Sequence, residues 1–472
     1  MEKQVITSFG EAAAYLYAVP RFTSKNTMED TKAYLHKLGD PDRKMHIIHV
    51  AGTNGKGSVC AYMRYILEAA GYGVALFTSP HLVDIRERFV IKGQMVSEEE
   101  FLRAFLQIYD SLDWEELAKG RGYHPTFFEY LFFMAMILFD REDIDYCILE
   151  TGLGGRLDAT NSVSEKELCV ITRINLDHME YLGNSIRQIA GEKAGIMKQG
   201  VPLVFSDVER EATEVFSQYG ADLGSILYPV SRNDYVFSNF KNKSIDFSLH
   251  TEYYGYIRLT LHTIARYQME NAALAVRAVE VLDKARTITA QDIVQGVGAC
   301  KWQGRMEEVL PEVYVDGAHN EDGIRAFLET VREDGVKGSR TLLFSVVQDK
   351  DYRRMIERII SSGLFQKIAI AHMHTGRAAD LESMRQMFLQ GTVTGADREN
   401  AGHINRNCGN LDKVGDGCEC IAYDSVQDAF MALIKSKVQG ERIYIAGSLY
   451  LVGELKEIVS RVRNLKESLS YD

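Results

Sequence analysis

Proline is scarce, with only 7 in 472 residues, which argues against long disordered or linker segments. Long apolar runs are missing too. The longest, Phe127 to Phe139, is interrupted by Glu129 and is too short to span a bilayer. No apolar signal-peptide core follows the opening Met-Glu-Lys-Gln, so a cytoplasmic protein without a membrane partner is expected. Excess positive charge is absent. A net charge of -12 disfavours a general nucleic-acid binder, because phosphate backbones are held mainly by Lys and Arg, but it leaves room for a local basic pocket. The 7 cysteines form no metal-type spacing. Cys60, Cys147, Cys169 and Cys300 fall in apolar stretches and read as buried thiols of a reducing compartment. No repeat at a solenoid period is visible.

What is present is an ordinary globular balance, 46% hydrophobic and 25% charged, in a chain long enough for two or three domains. Met45 to Val50 reads as a strand running into a glycine-rich loop, Ser58 to Ala70 has helical spacing, and Val74 to Thr78 is the next strand. Ser97 with Glu100 makes a capping box, and Tyr146–Leu149 and Leu168–Ile171 are further buried strands. The alternation predicts a mostly parallel sheet with helices on both faces. Val236, Ser238 and Phe240, then Ile245, Phe247 and Leu249, alternate around residues 241–244 as in an antiparallel hairpin. A helix is expected from Ala265 to about Asp283, and a second α/β series after Arg305. The expected architecture is α/β: a domain over 1–304 that the glycine-rich loop Gly52 to Ser58, taken up below, makes P-loop ATPase-like, and a smaller Rossmann-like domain over 305–472. Thr392 to Cys420, rich in Gly, Asn and Asp, reads as a long exposed inserted loop. Its His403, Cys408, Cys418 and Cys420 fit no zinc ribbon or finger.

The sharpest signal is Gly52-Thr53-Asn54-Gly55-Lys56-Gly57-Ser58 between a strand and a helix. Phosphate binding needs small residues so that backbone N–H groups can approach, a helix N-terminus, a lysine, and a hydroxyl for Mg2+. All four are here. The spacing departs from the general pattern, since Gly57 separates Lys56 from Ser58. The plain alternative is a tight glycine turn with a surface lysine. Tyr146–Leu149 ends in Glu150, where a nucleotide-bound Mg2+ takes a protein ligand. Asp177-His178 ends another strand and reads as a metal pair or as a hydrogen-bonded cap. Lys193, on a helix, reads by itself as a solvated lysine. Asn320 and Ser448 follow strands and read at least as helix caps.

These blocks together resemble the folylpolyglutamate synthase/dihydrofolate synthase family of the Mur ligase superfamily. The resemblance is carried by residues 49–58, Thr78-Ser-Pro-His-Leu82, residues 149–161, Asp177-His178 and Gly191–Ile196, and in the second half by Gly304-Arg305, Asp316–Asn320, Asp349–Asp351 and Gly447-Ser448. It implies an ATP-dependent ligase that joins glutamate to a folate-type carboxylate through an acyl phosphate. Gly52 to Ser58 would hold the ATP phosphates, with Lys56 catalytic, and Asn271, Arg305 and Asp316 would also contact the nucleotide. Ser58, Ser79, Glu150 and His178 would ligate magnesium, and a carbamylated Lys193 would support a second Mg2+. Met28, Glu29, Thr126, Phe127, Phe128, Glu129, Leu157, Asp158 and Ala159 would line the pterin-side pocket, and His319 would lie near the incoming glutamate. The resemblance also implies a monomer with small-molecule partners only. Tyr267-Gln268 stands where the family commonly has His-Gln, and Arg173 where it has threonine.

Two rivals remain at this level. A superfamily ligase acting on a cell-wall nucleotide peptide would be expected to carry a recognition domain ahead of the loop, which here begins at residue 52. A P-loop switch protein would need neither Lys193 nor the polar turns of the second half.

Overall fold

Apolar residues on both sides of its central strands build the larger sheet. The computed structural model describes residues 3–19, 26–390, 412–414 and 418–469. Eight strands form this sheet: β1 (His46–Ala51), β2 (Val74–Phe77), β3 (Phe89–Ile91), β4 (Gln94–Met95), β5 (Tyr146–Glu150), β6 (Leu168–Ile171), β7 (Leu203–Ser206) and β8 (Leu227–Val230). Their order is β4-β3-β2-β5-β1-β6-β7-β8. The strands from β2 to β8 in that order are parallel, and β3 and β4 form an antiparallel edge.

Successive strand residues point to opposite faces, so one strand feeds two cores. Ile47, Cys147 and Leu149 pack with Phe101, Phe105 and the helix Phe127–Asp140. Ile48, Val50 and Ile148 pack on the other side, with helices Lys56–Ala69 and Gln268–Leu282. The apolar run noted in the sequence is thus a helix buried from Tyr130 to Phe139, apolar all round because it is covered all round. Among the described residues no helix is long and apolar enough to cross a membrane.

The expected hairpin is present and gains a third strand: β9 (Tyr235–Lys241), β10 (Ser244–Thr251) and β11 (Gly255–Leu261) form an antiparallel sheet. One detail differs. Val236 and Ser238 are exposed, while Phe237 and Phe240 are the residues that pack inward. The register shifts between Asp246 and Phe247, so Phe237 faces Phe247 and Phe240 faces Ile245. A bulge of this kind inserts one residue and flips the alternation that simple periodicity assumes. The following helix begins at Gln268 rather than Ala265. Cys300 is only partly buried, unlike Cys60, Cys147 and Cys169.

The chain divides into two compact units, Met1–His262 with Gln268–Lys301, and Thr263–Tyr267 with Trp302–Asp472. The second holds β12 (Glu307–Leu310), β13 (Val313–Val315), β14 (Arg340–Phe344), β15 (Lys367–Ala371), β16 (Asp412–Val414), β17 (Cys418–Tyr423) and β18 (Arg442–Ala446). Their order is β12-β13-β18-β14-β15-β17-β16, parallel except for the antiparallel edges β12 and β16.

The segment read as a loop from Thr392 to Cys420 lies largely outside the described residues, His403 and Cys408 included. Where it is described it is strand, not loop. Asp412–Val414 pairs with β17, and Cys420 is buried opposite Ile368. The polar residues preceding Cys418 hide the start of a strand whose apolar part comes late. Among the described residues no group of three or more His, Cys, Asp or Glu is arranged to hold a metal.

Candidate active site

Four parallel strands, β2, β5, β1 and β6, end side by side, and the loops that leave them carry most of the singled-out residues of the first unit. β1 is the topological switch point, with β5 on one side and β6 on the other, the place where open α/β sheets bind ligands.

The loop after β1 has a shape that only glycine supplies. Gly52 has φ +150, and a Cβ there would lie 1.8 Å from Thr172 Oγ1. Gly55 has φ +92, and a Cβ there would lie 2.3 Å from Asn271 Oδ1. Between them the chain is tied to the segment after β6. Thr53 N donates to Arg173 O at 2.9 Å, Thr53 Oγ1 donates to Asn175 O at 3.1 Å, and Thr172 Oγ1 donates to Asn54 O at 2.7 Å. The helix Lys56–Ala69 starts immediately, with no side-chain cap at Gly55, so its first N–H groups face the loop. Lys56 Nζ folds back onto Gly52 O at 3.1 Å and Thr53 O at 3.3 Å. Ser58 is buried and accepts from Gln268 Nε2 at 3.2 Å, and Gln268 in turn accepts from Asn271 Nδ2 at 2.8 Å. Asn271 therefore belongs to the phosphate loop's surroundings through both Gly55 and Gln268.

Glu150 closes β5 as a buried carboxylate, and its Oε2 accepts the backbone N–H of Ser79 at 3.0 Å. Ser79 and Glu150 are thus brought together. His178 opens the short helix Met179–Leu182 in a left-handed turn (φ 50), with its ring nitrogen Nε2 4.0 Å from Asp177 Oδ1.

Lys193 is where the structure overturns the plain sequence reading of a solvated helix lysine. It is only 4% exposed, and its Nζ donates to Gly52 O at 2.7 Å. Burial, reinforced by the Lys56 cation and opposed by Asp177 and Asp158, pushes its amine down from 10.5 to about 7.

The expected pterin-side residues fall into two groups. Thr126 caps the helix Phe127–Asp140 in a capping box with Glu129. Glu129 is buried, with Oε2 accepting from Asn26 at 2.7 Å and Thr126 N at 2.8 Å, and Oε1 from Thr31 Oγ1 at 3.3 Å. This cap was legible as Thr-x-x-Glu before an apolar run and was missed. Phe127 stacks on Tyr17 at 6.1 Å, and Phe128 lies against Gly152. Met28 and Glu29 start the helix Met28–Lys37, Glu29 exposed. In the loop after β5, Leu157 is exposed, Ala159 buried, and Asp158 buried with its oxygens taken by Leu153 N at 2.8 Å and by Thr160.

In the second unit Asp316 ends at β13 fully engaged. Oδ2 accepts from Tyr267 OH at 2.5 Å and Met306 N at 3.0 Å, and Oδ1 from Ala318 N at 2.8 Å. Burial raises its carboxyl, while the Arg305 guanidinium and these bonds oppose the rise. Tyr267, the departure noted in the sequence, is therefore Asp316's partner, which sequence alone did not suggest. His319 Nδ1 lies 2.7 Å from Gly317 O, and Asn320 caps the helix Glu321–Glu333. Ser448 accepts from Tyr450 N at 3.1 Å, the capping role expected of it.

Residues 50–279 match the Mur ligase middle domain. A dihydrofolate synthase/folylpolyglutamate synthase of Bacillus subtilis is 36% identical over 362 residues, covering 75% of this chain and 83% of that protein. A folylpolyglutamate synthase of Lacticaseibacillus casei is 31% identical over 364 residues, with the same coverages of 75% and 83%. Among solved structures, E. coli FolC in complex with DHPP and ADP is similar with a TM-score of 0.79 at 26% identity, over 97% of this chain and 99% of that one. The apo form of L. casei FPGS gives 0.78 at 26% identity, over 96% and 99%. The chain belongs to the folylpolyglutamate synthase/dihydrofolate synthase family of ADP-forming ligases.

Proposed function

We propose that this ligase uses ATP to join L-glutamate to the carboxylate of a reduced folate, and to that of dihydropteroate. A carboxylate is a poor acyl donor, so its oxygen first attacks the γ-phosphorus of ATP, the bond to the β-phosphate breaks, and ADP leaves. The amine of glutamate then attacks the acyl carbon of the acyl phosphate, losing a proton, and phosphate departs with the original carboxylate oxygen. Phosphoryl transfer of this kind asks for positioning and charge neutralisation rather than covalent help.

The first unit offers both. The N–H groups of the Gly52–Gly55 turn and the start of the helix Lys56–Ala69 are assigned to the phosphates, and Lys56 supplies a cation. Glycine at 52 and 55 permits this turn, because a Cβ at either position would collide with Thr172 or Asn271. Ser58, Ser79, Glu150 and His178 are assigned to a nucleotide-bound Mg2+, which takes one or two protein carboxylates and completes its shell with phosphates and water; the contact between Glu150 and Ser79 supports the assignment. The ion's contribution is to neutralise charge on the transferring group. Lys193, an amine held near neutrality beside the phosphate loop, has the character that carbamylation requires, and as a carbamate it would add an anionic metal ligand. Asn271, Arg305 and Asp316 are assigned further nucleotide contacts, and His319 a place near the amino acid. Met28, Glu29, Thr126 to Glu129 and Leu157 to Ala159 are assigned to the pterin side, where Glu129 and Asp158 act by shaping their loops.

The observation that carries this reading is the buried Lys193 amine on the Gly52 carbonyl, a feature that a nucleotide switch does not need. The test is ADP release with glutamate and with tetrahydrofolate or dihydropteroate, each omitted in turn. Release that needs both glutamate and an acceptor supports the proposal. Release indifferent to glutamate contradicts it.

A further inference from the structure

His49 is fully buried in β1, a strand otherwise apolar between Ile47 and Ala51. Placing an imidazole there costs free energy unless a hydrogen bond compensates. Its Nε2 lies 2.7 Å from Thr160 Oγ1, and Thr160 Oγ1 lies 2.5 Å from Asp158 Oδ1. All three side chains belong to the first unit.

The direction of this chain of bonds can be derived. A threonine hydroxyl has one proton to give. If it goes to Asp158, then His49 must donate from Nε2–H, and Nδ1 is a bare acceptor. If the bonds run the other way, Nε2 accepts and Nδ1 carries the hydrogen. His49 Nδ1 is buried and has no hydrogen-bond partner. A buried orphan N–H is rarer than an under-satisfied acceptor, so the first direction is selected. Burial raises the Asp158 carboxyl, while the Thr160 hydroxyl and the backbone N–H groups of Leu153 and Thr160 that point at it oppose the rise. Burial, and then the cations of Lys166 and Lys198, hold the imidazole neutral.

Asp158 closes the turn from Leu153 to Thr160, and β1 carries the phosphate loop. We propose that His49 and Thr160 are positioning residues, and that the relay His49 Nε2–H to Thr160 Oγ–H to Asp158 ties the shape of the substrate loop to the strand bearing the phosphate loop. The relay rests on the reading above that this loop lines the folate pocket. It acts on the binding of the folate acceptor and not on the grip on ATP.

The experiment is steady-state kinetics of the full-length enzyme with tetrahydrofolate and ATP varied separately. His49→Phe keeps a ring without a donor, Thr160→Val keeps the shape without a hydroxyl, and His49→Gln and Thr160→Ser restore the donor. Each of the first two is expected to raise KM for tetrahydrofolate about tenfold, the size of one lost hydrogen bond to a charged group, and to leave KM for ATP in place. The restoring variants return most of it, and the His49→Phe/Thr160→Val pair is no worse than either alone. Nitrogen NMR of labelled histidine should find His49 as the neutral Nε2–H tautomer, and Thr160→Val should release that tautomer. An unchanged folate KM in Thr160→Val, an equal rise in KM for ATP, a Thr160→Ser enzyme as impaired as Thr160→Val, or an Nδ1–H tautomer would overturn the relay. If the wild-type enzyme needs no folate acceptor for ADP release, the reading of the loop fails first. If it ligates normally and the variants keep their folate KM, only the relay fails.

Discussion

Lys193 Nζ donates to the carbonyl oxygen of Gly52 at 2.7 Å, and Lys56 Nζ reaches the same oxygen at 3.1 Å. Two lysines therefore converge on one backbone atom of the phosphate loop. Lys193 is buried, and burial, with the neighbouring Lys56 cation adding to it, brings its amine down. The helix Ile186–Ala194 is thereby joined to the loop after β1 by a bond that spans 141 residues of sequence.

An amine held near 7 is about half unprotonated at neutral pH, and the free base is the state that carbon dioxide captures. In labelled bicarbonate, carbon NMR should detect a carbamate signal that disappears in Lys193→Ala. That variant should lose ligation and recover part of it when a small carboxylic acid is added. No carbamate signal and no rescue would count against the modification.

Lys56→Ala removes a cation from the phosphate loop. On the scale of a lost transition-state donor, about 2.7–4 kcal/mol, kcat should fall by roughly 10²–10³-fold. Far-ultraviolet circular dichroism should stay unchanged, because among the described residues the Lys56 amine bonds to loop carbonyls. Near-normal turnover would remove the loop from the chemistry.

Gly55→Ala meets two obstacles at once, a φ of +92 and a Cβ 2.3 Å from Asn271 Oδ1. Strain of this kind costs about 1–3 kcal/mol. Denaturant unfolding should show that loss, and calorimetry should show weakened ATP binding, since the turn must open to admit the methyl. A variant with wild-type stability and ATP affinity would mean that the loop is not held in this shape.

Lys166, and Lys193 wherever it is the unmodified amine, give the protein an unusual pH dependence. Burial is the main cause that brings each down from 10.5 to about 7, with Lys198 adding to it at Lys166, and Cys169 and Asp158 opposing. Below about 7 both lysines are charged whether folded or not, and the cost of burying the charge is fully present. Between there and the unfolded value the unfolded chain binds the protons that the folded one does not, so stability rises with pH. Lys166 Nζ also fastens Asn161 Oδ1 and Ile196 O, both at 2.7 Å. Lys166→Met should lose those bonds and flatten the rise. Guanidinium midpoints from neutral pH to about pH 9 would measure it, and equal slopes in variant and wild type would contradict the assignment.

Much of the architecture was legible because strands such as Tyr146–Glu150 and Leu168–Ile171 are short, apolar and bounded by turns. What escaped depended on tertiary partners. The bulge opposite Asp246 reversed the faces of Val236 and Phe237, and no periodicity within one strand reports its neighbour's register. Lys193 sits on a helix whose sequence permits solvent, yet it is buried and bonded to Gly52 O in the loop after β1. Tyr267 and Asp316 lie 49 residues apart, and only folding makes them partners. The residues of the glycine loop were readable because backbone geometry restricts them locally.

The central claim is that the folate carboxylate is activated by taking the γ-phosphoryl group of ATP. The most direct measurement labels that carboxylate with heavy oxygen and analyses the phosphate released with ADP after a single ligation. One labelled oxygen in inorganic phosphate is the predicted result. Phosphate free of label, or label carried off in AMP, would contradict it.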